Sequence, residues 1–195
     1  MKSSARRSPF DTTVGFDDPL EMLLACHRRI EKQLDTLKRL HARIDARGVD
    51  AEASTAAQAV LRYFPTAAVN HHDDEEKDLF PLLEQRITDA GERARFDALR
   101  VELERDHREV ELLWARLRKP LEAIAEGITR PLPASDVHAF IAANARHILA
   151  EESALQELFE RWLDEGDRVS LGRSMRERRM VGVTGFEPAA STSRT

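Results

Sequence analysis

Cysteine is almost missing from this chain: Cys26 is the single one in 195 residues, which rules out an internal disulfide and suits a reducing compartment. It follows Leu23, Leu24 and Ala25 and reads as a small core residue. Glycine is scarce as well, with eight residues, several of them near the two ends. No run of about 18 apolar residues occurs, so no membrane span is expected. The stretch from Met1 to Thr13 lacks the apolar segment of a secretory signal. Concentrated basic charge is also absent. The net charge is −5, and Arg and Lys cluster only near the ends, at Arg6-Arg7 and from Arg176 to Arg179. Phosphate binding needs more than that, which argues against a nucleic-acid partner. A cytoplasmic location, with neither nucleic acid nor membrane as partner, is the expectation.

What the chain does have is helix-forming material. Leu, Ala, Glu and Arg dominate, apolar residues make up 42% and charged residues 33%, a balance that suits amphipathic helices around one core. The apolar residues recur with a period of 3.6 in four segments. The first is expected from Pro19 to Ala46, with Asp17 or Asp18 as cap and a stripe of Leu20, Leu23, Leu24, His27, Ile30, Leu34, Leu37, His41 and Ile44. A second is expected from Ala51 to Ala90-Gly91, with Pro65 and Pro81 kinking or interrupting it. The third runs from Glu92 to Arg118 and on past Pro120 towards Glu126, and the fourth from Asp136 to Asp164, capped by Ser135. Four long amphipathic helices with short links predict an all-α, up-down-up-down four-helix bundle over residues 16–165. Residues 1–15 and 166–195 are expected to be disordered. The codons for Gly185-Phe186-Glu187-Pro188 could spell the T-arm of a tRNA gene, so two readings of residues 182–195 stand side by side: a read-through into such a gene and an ordinary flexible tail.

The histidines carry the chemistry. Five of seven have Glu four positions later: His27/Glu31, His71/Glu75, His72/Glu76, His107/Glu111 and His147/Glu151. Twenty glutamates in 195 residues would supply such a partner by chance to fewer than one of the seven. Residues four apart share a helix face, so an imidazole and a carboxylate can reach the same or adjacent metal ions. Surface pairs that only support a helix are the bland alternative. It fits worst at His71, His107 and His147, each of which interrupts an apolar stripe. Buried without a metal or mutual bonding, those groups would be costly. His72 and Glu76 lie about 100° around the helix from His71 and Glu75 and read as flank residues. His41 and His138 read as residues near helix ends.

Two of the pairs sit in similar text. His71 to Leu79 and His147 to Leu155 both spell H-x-x-x-E-E-x-x-L. In this the chain resembles the hemerythrin-like HHE cation-binding family, over about residues 19–163. The resemblance implies a non-haem di-iron centre, with His27, His71, His107 and His147 as terminal imidazole ligands and Glu75 and Glu151 as bridging carboxylates. Hemerythrins proper carry a second histidine four residues after the third-helix one. This chain has Glu111 there. The sequence leaves open whether Glu111 ligates or only accepts a hydrogen bond. Ferritin-like bundles need a second E-x-x-H beside Glu104-Arg105-Asp106-His107, and H-E-x-x-H of helical zinc hydrolases is absent.

The resemblance implies a binding or sensing protein for oxygen, nitric oxide or iron. Two other classes stand beside it: a di-iron enzyme acting on peroxide or supplying iron for iron–sulfur repair, and a bundle stabilised by structural zinc or another cation. The expected partners are a diatomic gas or peroxide ligand and an unidentified signalling protein, with the chain a monomer or weak homodimer.

Overall fold

The computed structural model describes residues 18–184, the side chains as far as Met180, and every regular element in that range is helical. Helix α1 spans Pro19–Arg47; Asp18 caps it by accepting from the backbone N–H of Leu20 and Glu21, and Pro19 occupies the first helical position. Gly48, at φ 76°, ends it in a left-handed conformation that a side chain would disfavour. Helix α2 covers residues 51–86 and opens on Asp50, which accepts from Ala53 N–H. Helix α3 (Ala90–Ala125) is capped by Asp89, and helix α4 (Ala134–Trp162) starts after Pro133. Helix α5 (Glu165–Thr184) follows after two residues.

Of the two effects expected of the prolines, a kink or an interruption, interruption does not occur. Neither Pro65 nor Pro81 interrupts α2. The helix instead widens into π turns at Phe64–Ala68 and Glu75–Leu79, and Phe80 N–H donates to the Glu75 carbonyl five residues back. A widened turn relieves the crowding that a proline ring imposes on the preceding turn, so the helix continues. Pro120 lies inside α3 without ending it. Gly91, expected as the end of the second helix, sits in the first turn of α3 instead, because Asp89, two residues before it, supplies the cap.

The first four helices pack in a ring, with α1 and α3 each bordering α2 and α4. A fifth helix is the main correction. The segment 166–184, expected to be disordered, is helical, and α5 lies against α1 and α2. Its apolar content is low, but Leu171 and Met175, four apart, are buried among Met22, Leu23 and Phe159. Arg86 also holds Asp167 in the first turn of α5 (2.6 Å). The other expectations for the ends, residues 1–15 and the read-through stretch from 185 on, lie outside the described residues.

The core comes in two parts. One is built from Ile30, Leu37, Val60, Phe64, Leu117 and Phe140 with their neighbours, the other from Leu23, Leu79, Phe80, Phe96, Leu103 and Phe159. Each fully buried side chain of this size contributes about 1.5–3 kcal/mol. Between the two parts the four ring helices each place histidine or glutamate on the inner face. The functional layer is this polar break in an apolar core. None of the helices in the described residues is long and apolar enough to cross a membrane.

Candidate metal centre

Six side chains fill the layer: His27 from α1, His71 and Glu75 from α2, His107 from α3, and His147 and Glu151 from α4. Each is 2% exposed or less. The structure thus brings together all six residues that the resemblance implied. It does not bring Glu111 to them. Glu111 is exposed on α3, as Glu31 is on α1, and neither belongs to a ligand group. His41 lies towards the other end of α1, paired with Asp45 at 3.3 Å and with its ring 6.1 Å from that of His138.

The ligand atoms form two groups. His27, His71, Glu75 and Glu151 offer one set of atoms all within 4.8 Å of one another, and His72, His107 and His147 offer a second. Glu75 reaches both groups. Its Oε1 is 3.0 Å from His71 Nδ1 and its Oε2 is 3.0 Å from His107 Nε2. Glu151 also stands between them, its Oε2 lying 2.9 Å from His27 Nε2, 3.8 Å from His71 Nε2 and 3.5 Å from His147 Nε2.

Most of these atoms are not satisfied by one another. Both ring nitrogens of His71 and of His147, both carboxylate oxygens of Glu75, and Nε2 of His107 are buried without an aligned hydrogen bond. A buried unsatisfied polar group costs about 1–3 kcal/mol, so these seven atoms would cost roughly 10 kcal/mol. That is comparable with the whole stability of a domain, about 5–15 kcal/mol. A layer of this kind is not built for its own stability. Imidazoles and carboxylates converging in a buried layer are the donor set that suits iron, zinc or manganese. The residues therefore fit a metal.

Two more carboxylates complete the arrangement, one on each side. Glu152 accepts from Nδ1 of His27 at 2.9 Å, and Glu76 accepts from Nδ1 of His107 at 2.5 Å. The pattern repeats across the bundle: in each H-x-x-x-E-E sequence the first Glu points into the layer and the second holds the far side of an imidazole from another helix. A carboxylate on the far nitrogen fixes the orientation of a ligating ring and raises its basicity. Glu76 was read from the sequence as a flank residue and Glu152 was not singled out, although the doubled Glu in both copies was the available signal.

The charges follow from these contacts. Burial disfavours a charged His27, but Glu151 and Glu152 outweigh it and raise its pKa from 6.5 to about 9. At His107 burial is likewise overcome by Glu75 and Glu76, again to about 9. The others go the opposite way. Burial, reinforced by neighbouring imidazoles, holds His71 well below its ordinary value and takes His147 to about 2. Burial and the nearby Glu151 push Glu75 upwards.

Arginines brace the layer from outside. Asp74, fully buried beside Glu75, is held by Arg178 and by Arg179 (2.6 Å) from α5, and Arg178 also reaches Asp78. Asp106, fully buried beside His107, is held by Arg146 of α4 at 3.2 Å. A narrow apolar cleft walled by Leu20, Leu24, Leu79 and Phe159 comes down onto His27 and Glu151. The wider grooves, of about 310 and 380 Å³, are lined by other residues, such as Arg95 and Leu99 or Arg39 and Arg43.

Comparison with known proteins gives two results. A family model described as hemerythrin HHE cation binding domain matches residues 18–159. An uncharacterized protein of Haemophilus influenzae is 30% identical over 166 residues, covering 85% of this chain and 92% of that protein.

Proposed function

The chain belongs to the hemerythrin HHE cation-binding domain family, and from that premise we propose that its layer holds two non-haem iron ions and binds or senses a small ligand there: oxygen, nitric oxide or iron itself. Glu75 carries this reading. A carboxylate whose two oxygens each lie 3.0 Å from an imidazole of a different group is placed to be shared by two ions. His27 and His71 would hold one ion, His107 and His147 the other, with Glu75 and Glu151 common to both. An iron pair would supply electrons to a diatomic molecule or a peroxide bound there.

The chain's own residues do the rest. The two apolar core parts above and below the layer keep bulk water away, which strengthens every charge interaction inside it. Glu152 and Glu76 orient His27 and His107 by accepting from Nδ1–H of each ring, so that Nε2 of each faces the layer and gives up its proton when a cation binds. Glu75 and Glu151 neutralise the cations. The cleft beside His27, walled largely by leucine and phenylalanine, is the approach to the layer, and at about 10 Å³ it opens to a small ligand only when those side chains move.

Anaerobic loading with ferrous iron followed by rapid mixing with oxygen, nitric oxide or hydrogen peroxide tests this. Fast, reversible spectral changes with the gases and no turnover are expected. Sustained consumption of peroxide would move the function to the enzyme class. Tight retention of zinc in place of iron, with no spectral response, would reduce the layer to a structural site.

A further inference from the structure

The second ligand group contains a residue that the resemblance does not supply. His72 comes from α2, next to His71, and its ring is stacked on that of His107, with centroids 3.9 Å apart and planes 13° apart. The His147 ring stands edge-on to it at 5.8 Å. The ligand nitrogens of His72, His107 and His147 fall within 4.8 Å of one another, three imidazoles from three helices converging on one region. His72 is 9% exposed, at the rim of the layer. The third helix meanwhile offers a single imidazole, because the position four residues after His107 is Glu111, which is exposed.

We propose that His72 is a third imidazole ligand in the His107/His147 half of the layer, so that the chain holds its two cations with unequal donor sets. This rests on the two-cation reading above. Adjacent residues on α2 then serve different ions: His71 the half shared with His27, and His72 the half shared with His107 and His147. With Glu75 and Glu151 common to both, one ion has three imidazoles and the other two. A neutral third imidazole at an ion already facing two carboxylates adds affinity without adding charge.

A stacked ring that only walls the layer is the competing account, and His72→Phe separates the two, since it keeps an aromatic ring and removes the donor. Anaerobic titration of the metal-free full chain with Co²⁺, followed by its visible absorption, should give two ions per chain for the unsubstituted protein. In H72F one of the two should bind at least tenfold more weakly and the visible bands of that ion should change, while the other stays as before. In H72A, millimolar imidazole should restore the second ion, and this arm reads the same quantity should H72F fail to fold. Two ions bound with unchanged affinity and spectrum in both variants would make His72 a packing residue and overturn the proposal. Fewer than two ions in the unsubstituted chain would overturn the two-cation reading beneath it.

Discussion

The two halves of the buried layer share their carboxylates and differ in nearly everything else. On one side stand His27 and His71, with the apolar cleft above them and Glu152 outside. On the other stand His107 and His147, with His72 stacked against the first and Glu76 outside. The shared part is a repeated motif, H-x-x-x-E-E, on α2 and α4; the unshared part comes from single residues placed around it. The repeated motif supplies the symmetric frame, and local departures from it make the two ligand groups unequal.

Removing what the halves share should have the largest effect. Glu75→Ala takes a carboxylate from both ions, so loss of both is expected, measured as metal content after loading and desalting. His147→Ala should be narrower, losing one ion and keeping the other. Two ions retained in H147A would contradict its role. Breaking the outer braces should cost stability rather than metal. Arg178→Ala with Arg179→Ala leaves Asp74 buried without its partners, and removing one side of a buried ion pair costs about 3–5 kcal/mol. Chemical denaturation should show the lower part of that range, because both arginines are partly exposed. Arg146→Ala, on the side of His107 and His147, removes a more exposed partner from Asp106 and should cost less.

Much of this was legible in the sequence. That His71, His107 and His147 face inwards followed from their places in apolar stripes, and the full set with His27, Glu75 and Glu151 from the resemblance. The sequence does not show that the His72 ring stacks on that of His107, because a helical wheel gives one face to one neighbour. Where four helices surround a layer wide enough for two groups of ligands, residues 100° apart on α2 can both point into it, towards different helices. The i, i+4 spacing also could not tell an inward pair from an outward one, so Glu111 and Glu31 looked equivalent to Glu75 until the packing showed them exposed. The π turns were hidden, although Pro65 and Pro81 marked the places where regular helix was under pressure. Helix α5 is hard to read from the sequence because, among its described side chains, Leu171 and Met175 alone form a buried apolar stripe, and its hold on the bundle comes largely from arginines.

Smaller effects distinguish the outer carboxylates. Glu152→Gln should weaken the ion of the His27 half and Glu76→Gln that of the His107 half, each by about 10–100-fold, leaving the other half unchanged in a metal titration. The pH dependence of the metal-free chain is the mildest test. His27 and His107 have pKa values raised from 6.5 to about 9, so the stability they contribute is fully present below pH 6.5 and is lost as pH rises through about 9. Thermal melts of the metal-free chain should therefore fall between those limits. Cation affinity should climb over the same window, as fewer protons have to be displaced.

The claim that everything else depends on is a pair of irons bridged by Glu75 and Glu151, and Mössbauer spectroscopy of the chain loaded with ⁵⁷Fe and then exposed to air tests it most directly. Two irons per chain, magnetically coupled to a diamagnetic ground state, are predicted. A single iron, or two uncoupled paramagnetic ones, would contradict the account.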